Sequence, residues 1–256
     1  MVEFFEYIGR EIVKFLEAMG AMMIFIARTM YWSVRRPVFL KETVKQMDII
    51  GVKSSLVIVL TGTFTGMVSA LQANYGFRMF GAESMVGSVT ALGLLRELGP
   101  VLASLMVTAR AGSAMTAELG TMRVTEQIDA LTVMGVNPYQ YLILPRIVAS
   151  TIMMPLLTLV FCGLGMVGAY IVGVDLLGID KGLFMARIAQ YVDYSDLNSG
   201  LIKAVCFGII LSFVGCFKGF TTTGGAEGVG KATTYSVVIS SVSILIADYV
   251  LTAIMF

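Results

Sequence analysis

The sequence predicts an all-α integral membrane protein in two parts: an amphipathic interfacial helix over residues 1–36 and a bundle of five transmembrane helices over residues 45–256. Three observations predict it. Five runs with few or no charges each reach the roughly 20 apolar residues that cross a bilayer. Charged residues make up 14% of the chain and apolar residues 57%, where a soluble domain carries roughly 25% charged residues. The opening residues instead alternate charged and apolar side chains at helical spacing.

In the N-terminal part, Glu3, Glu6, Arg10, Glu11, Lys14 and Glu17 recur at three- and four-residue steps, while Phe4, Phe5, Ile8, Ile12, Phe15, Leu16 and Met19 fill the other side. This is the pattern of a helix lying in the membrane interface, with Ala18 to Ala27 dipping deeper and Tyr31, Trp32, Arg35 and Arg36 at headgroup level. Acids near its start separate it from a cleaved signal peptide, which opens on basic residues. Pro37 ends the helix.

Ser54 to Phe77, without a charge, makes the first span. Val86 to Ala109 makes the second and is interrupted by Arg96 and Glu97. Ile147 to Val174, the longest uncharged run, is the third; its excess length implies tilt or extension beyond the lipid. Leu197 to Phe217, with Lys203 near its start, is the fourth, and Ala232 to Phe256, with Asp248 inside it, the fifth. With the N-terminus placed in the cytoplasm, 13 of the 18 Lys and Arg residues lie on that side, Arg110, Arg123, Arg146, Lys218 and Lys231 among them. Arg78, Lys181, Arg187 and Lys203 lie on or near the far side, and Arg96 is in mid-span. The bias is the positive-inside pattern, so the polar block at 121–138 between spans two and three is cytoplasmic.

The sequence has no His, which removes the commonest general base and transition-metal ligand. Cys162, Cys206 and Cys216 sit in apolar runs without CxxC spacing, which suits packing and gives neither a disulfide framework nor a metal site. Two nucleotide-like motifs fail on context. Gly225 to Ala232 approaches GxxxxGK[ST], but an apolar span precedes it and Ala232 stands where a magnesium-binding hydroxyl belongs. It reads as a glycine-rich turn leading into span five. Gly163-Leu-Gly165-Met-Val-Gly168 spells GxGxxG inside the longest uncharged run; like Gly62-Thr-Phe-Thr-Gly66, it suits close helix packing. No catalytic residue, metal or cofactor is expected in this chain, and no nucleic-acid partner.

Intramembrane charges are costly and need a partner or a cavity to face. Glu97, Lys203 and Asp248 lie on three different spans and can converge on one polar spot. Either they neutralise one another and lock the helices together, or they line a pocket that meets a polar headgroup. Gly99-Pro100, directly after Arg96-Glu97, removes a backbone donor and predicts a kink. In the cytoplasmic block Val124, Ile128, Leu131 and Met134 fall on one helical stripe, with Glu126, Gln127 and Asp129 off it. Gly135 and Asn137-Pro138 terminate that helix. It either covers its own loop or inserts a ridge into a partner's groove.

Four runs carry a family resemblance: Leu95-Arg96-Glu97-Leu98-Gly99-Pro100-Val101, Ala109-Arg110-Ala111-Gly112-Ser113-Ala114, Thr116-Ala117-Glu118-Leu119-Gly120, and Arg123-Val124-Thr125-Glu126-Gln127-Ile128-Asp129-Ala130-Leu131. It continues at Asn137-Pro138, Leu144-Pro145-Arg146, Gly230-Lys231-Ala232-Thr233-Thr234 and Asp248-Tyr249-Val250-Leu251-Thr252-Ala253. From about Lys45 onward the chain resembles the MlaE-type permeases, the membrane subunits of MCE-associated ABC transporters that move lipids between bacterial envelope membranes. Lys231 stands where relatives also carry Arg.

The resemblance implies a permease homodimer in the bacterial inner membrane, with phospholipid in an outward-opening cavity at the dimer centre, serving outer-membrane lipid asymmetry. It implies a cytoplasmic ABC ATPase, holding ATP and Mg, docked on a coupling helix at Arg123 to Gly135, with Arg123, Glu126, Asp129, Leu131 and Gly135 at the contact. A STAS-domain subunit and periplasmic MCE-domain subunits complete the assembly. Glu97, Lys203 and Asp248 match charged residues of the family cavity, and Arg96 belongs to the same motif. Leu71 and Tyr75 of span one are expected to line its apolar part. The alternative class is an ion- or proton-coupled secondary transporter relaying through Glu97 and Asp248; it predicts internal repeats, and none is evident.

Overall fold

The computed structural model describes residues 2–33 and 39–255, with side chains in the first helix at positions 9, 10, 13 and 16–33. The described residues are almost wholly helical and contain no strand. In chain order they form α1 (Val2–Ser33), α2 (Leu40–Ile50), α3 (Ser55–Arg78), α4 (Glu83–Val124), α5 (Gln127–Val133), α6 (Tyr139–Leu176), α7 (Lys181–Tyr191), α8 (Tyr194–Phe220) and α9 (Gly225–Met255). The stretch Leu40–Arg78 and the helices α4, α6, α8 and α9 are long and apolar enough to cross a membrane, which gives the five spans expected.

Each apolar run lies inside a longer helix, because protein contacts carry the helix on past the point where lipid would. The extension of α4 beyond Ala109 buries Met115, Thr116, Leu119 and Gly120, and there Thr116 Oγ1 donates to the Gly215 carbonyl at 3.1 Å and meets Ser236 Oγ at 2.9 Å. One short helix was not foreseen. α7 occupies the expected far-side loop, capped where Leu183 N–H donates to Asp180 at 2.8 Å. It is pinned by Phe184, fully buried in a notch that exists because Gly87 and Gly173 carry no side chain to fill it.

The core follows from close helix approach. α3 buries Ile58, Gly62, Gly66 and Ala70, one residue per turn, against α6. A Cβ on Gly66 would overlap the Gly165 carbonyl, and one on Gly168 the Thr63 carbonyl. Both glycine motifs are therefore packing seams. The main cluster holds Leu94, Met154, Phe161, Phe207 and Leu211; a second, at the α5 end of the bundle, holds Phe25, Ile128, Leu142, Ile143 and Phe217.

That second cluster fastens α1. Phe25 packs against the rings of Tyr139, Phe217 and Phe220, and the Trp32 carbonyl accepts from Gln140 Nε2 at 3.2 Å. Leu16, Met19, Met23 and Ile24 stay exposed. Arg35, Arg36 and Pro37 lie outside the described residues, as do the side chains of Glu3, Phe4, Phe5, Glu6, Ile8, Glu11, Ile12, Lys14 and Phe15 and, at the other terminus, Phe256.

Where the kink is expected, a π-helical turn at Leu94–Leu98 ends as Gly99-Pro100 begins the next α-helical stretch; the wider turn accommodates the missing donor. Two local expectations are corrected. The glycine-rich block is helical from Gly225, after left-handed Gly224, and Lys231 pairs with Glu227 one turn back at 2.7 Å. The block 121–138 is not one helix. α4 stops at Val124, Glu126 adopts a left-handed φ of 59°, and only Gln127–Val133 is helical again. Gly135 at φ 78° closes it, with Gly135 N–H on the Thr132 carbonyl and Val136 N–H on that of Leu131, the glycine cap expected.

Candidate functional site

Glu97, Lys203 and Asp248 do converge. α4 brings Glu97 out of the π-turn, α8 brings Lys203 and α9 brings Asp248. The Lys203 ammonium is fully buried. It meets Glu97 Oε2 at 2.7 Å, Asp248 Oδ1 at 3.1 Å, the Arg96 carbonyl at 3.0 Å and Thr252 Oγ1 at 2.7 Å. An ammonium has three protons, and here four oxygens surround them. Thr252 stands one turn after Asp248 on the same face of α9 and also lies 3.3 Å from Glu97 Oε1.

Arg96 points to a different acid. Its Nε donates to Asp196 Oδ1 at 2.6 Å, and the other carboxylate oxygen of buried Asp196 accepts from the Asp193 N–H at 2.9 Å, capping the start of α8. Asp196 and Thr252 were not predicted. The Asp193-x-x-Asp196 spacing before span four was the available signal for the first. For the second it was the four-residue step from Asp248.

Exposure sorts these groups. Lys203 is sealed at 0%, Asp248 is 19% exposed, and Arg96 and Glu97 reach 37% and 39%. Lys203 is thus the knot that ties α4, α8 and α9, while Arg96 and Glu97 form the rim a polar ligand could touch. The rim lies toward the α7 end: Lys203 is roughly 14 Å along α8 from its start, and Asp248 roughly 10 Å from the end of α9, at 1.5 Å per residue.

Leu71 and Tyr75 stand 42% and 79% exposed on α3. α3 packs on α6 and α4, whereas α4, α8 and α9 build the charged cluster, so the structure does not bring these two residues to it within one chain.

At the opposite end, Arg123 Nη1 meets Asp129 Oδ1 at 2.6 Å, bridging the left-handed turn at Glu126. Ile128 is buried and Leu131 packs inward beside it, so these stripe residues face the chain's own second cluster. Outward on this segment are Val133 and Met134, 89% and 68% exposed, with Val124 at 36%, flanked by exposed Glu126 and Asp129.

Comparison with known proteins gives the family. A family model described as Permease MlaE matches residues 43–254. A probable ABC transporter permease protein of Rickettsia conorii is 42% identical over 249 residues, covering 97% of this chain and 96% of that one. The intermembrane phospholipid transport system permease protein MlaE of Haemophilus influenzae is 41% identical over 259 residues, covering 100% and 98%. The chloroplastic protein TRIGALACTOSYLDIACYLGLYCEROL 1 of Arabidopsis thaliana is 43% identical over 216 residues, covering 84% of this chain and 62% of that one. With five membrane-length helices, the charged motif gathered on three of them, and a match across nearly the whole length, this chain belongs to the MlaE permease family.

Proposed function

We propose that the chain is the membrane subunit of an ATP-driven system that moves phospholipid between the inner and outer membranes of a bacterial envelope. The observation that carries the reading is the full-length likeness to a permease named for intermembrane phospholipid transport. In this reading the chain hydrolyses nothing itself. A separate cytoplasmic ABC ATPase binds ATP and Mg and docks on the segment 123–135, where Val133 and Met134 offer apolar contact and Glu126 and Asp129 offer charge. The N-terminus and this segment face the cytoplasm, and α1 lies in the membrane interface. MCE-domain subunits stand on the periplasmic side, with a STAS-domain subunit beside the ATPase.

Two copies of the chain enclose the lipid cavity. The long uncovered face of α9, with Tyr235, Val238, Val242 and Leu245 exposed, and the outward residues of α3, Leu71 and Tyr75 among them, supply apolar surface for a second copy and for acyl chains. Arg96 and Glu97 at the rim meet the headgroup, and Lys203 holds Glu97 in place. ATP binding draws the docked segments together and narrows the cavity; a partner shifts this equilibrium only by binding its two states unequally. The alternative, an ion-coupled carrier, would require Glu97 and Asp248 to exchange protons while both are bound to Lys203 within one knot.

The test is gentle purification from native membranes, with mass spectrometry of accompanying proteins and lipids. An ATPase and an MCE protein in fixed ratio, with phospholipid, is the expected outcome. A chain recovered alone, without ATPase or enriched lipid, would overturn the reading.

A further inference from the structure

At the α5 end a second ionic contact, separate from the Lys203 knot, joins the two helices that carry the segment 125–138. Glu118 lies about two turns before the end of α4, and Arg146 about two turns after the start of α6. Arg146 Nη2 meets Glu118 Oε2 at 2.8 Å, and Nη1 donates to the Leu142 carbonyl, inside the π-turn Tyr139–Ile143, at 2.6 Å. The Arg146 side chain is 3% exposed and that of Glu118 49%. One guanidinium therefore grips both stems of the segment, and also the irregular turn by which α6 begins.

A further donor leads to a third helix. Arg146 Nε is buried without a protein partner among the described residues, and so is Gln46 Oε1 of α2. Both side chains line a cavity of about 160 Å3, together with Glu42, Lys45 and Glu118. Two formal positive and two formal negative charges cancel there, so neutral water, at roughly 30 Å3 per molecule, suits the space better than an ion. A water there, accepting from Nε–H and donating to the Gln46 oxygen, would complete the hydrogen bonding that buried polar groups require.

We propose that Arg146 is a positioning residue for coupling: it ties α4 to α6, and through water to α2, so that a displacement of the segment 125–138 moves the stems as one lever. Without the tie the displacement is absorbed in the loop, and it does not travel along α4 to Glu97. Lys cannot replace it, because a single ammonium lacks the planar fork that reaches Glu118, Leu142 and the cavity at once. The proposal rests on the ATP-coupled reading above.

The test uses the full complex purified from native membranes and reconstituted with vesicles of phosphatidylethanolamine and phosphatidylglycerol. It compares wild type, Arg146→Lys, Glu118→Gln and the double variant. Membrane level, retained ATPase and ATP hydrolysis are expected to stay near wild type. Lipid transferred per ATP should fall about tenfold in Arg146→Lys, and the double variant should lose little more, as for residues acting through one contact. Wild-type transfer per ATP in Arg146→Lys would overturn the proposal, as would a loss of transfer that only tracks loss of protein from the membrane. A wild-type chain carrying no ATPase would instead overturn the reading beneath it.

Discussion

At the α7 end, Lys203 is sealed among four oxygens from three residues and a backbone carbonyl. At the α5 end, Arg123 and Asp129 form a pair whose side chains remain 38% and 59% exposed. Both regions set a basic side chain against acid, and their energetics differ in kind. A buried ammonium has given up its water and stays charged only because acids replace it, so removing one side leaves uncompensated charge. An exposed pair gives up little hydration and is worth a fraction of a kcal/mol. The first region must move, if it moves, as a packed unit across α4, α8 and α9. The second can exchange its partner for another protein's side chain at small cost.

The largest effect should come from Lys203→Met. It leaves Glu97 and Asp248 unpaired and should cost about 3–5 kcal/mol, read as a lowered thermal midpoint in detergent. Adding Glu97→Gln and Asp248→Asn should recover most of that loss. An unchanged midpoint in the single variant would show that the knot is not electrostatically closed. An apolar contact calibrates the scale: Gly66→Val at the α3–α6 seam should cost about 1–3 kcal/mol by overpacking against Gly165.

The α5 end should respond in the other direction or scarcely at all. Glu126→Gly relieves a left-handed residue and should gain up to about 1 kcal/mol; a loss of that size would mean the Glu126 side chain itself holds the turn. Asp129→Asn should leave stability within about 0.5 kcal/mol of wild type, while ATPase-driven lipid transfer falls steeply. Transfer at the normal rate would remove Asp129 from the docking surface, and a clear loss of stability would collapse the contrast between the two regions.

The sequence showed its spans plainly, because lipid admits few charges and about 20 residues are needed to cross it. The convergence of Glu97, Lys203 and Asp248 was legible for the same reason: a charge inside a span stands out and needs an opposite. Thr252 did not stand out, since a hydroxyl in an apolar helix can satisfy itself on the carbonyl one turn back, as Thr252 also does on Asp248 at 2.8 Å. Asp196 did not stand out because its partner, Arg96, lies 100 positions away. The break at Glu126 was hidden because the apolar stripe from Val124 to Met134 fits one continuous helix. Periodicity records which faces are apolar and is silent about a single residue taking a left-handed turn. The pairing of Glu118 with Arg146 depends on how two distant helices lie side by side, which local pattern does not contain.

The scarcity of cover on α9 bears on how the protein is made. This helix follows α8 out of the ribosome, and among the described residues it buries only Ser236, Ser240 and Ile244 fully. It must enter the bilayer carrying Asp248, at a cost somewhat below the roughly 2.5–3.5 kcal/mol of a charge at a helix centre. Lys203, already delivered on α8, is the counter-ion waiting for it. The order of synthesis thus places the buried Lys203 ammonium in the membrane before its acid on α9. Until α9 arrives, Glu97 alone of the two acids meets Lys203, and docking of α9 is the step that gives Asp248 its counter-ion.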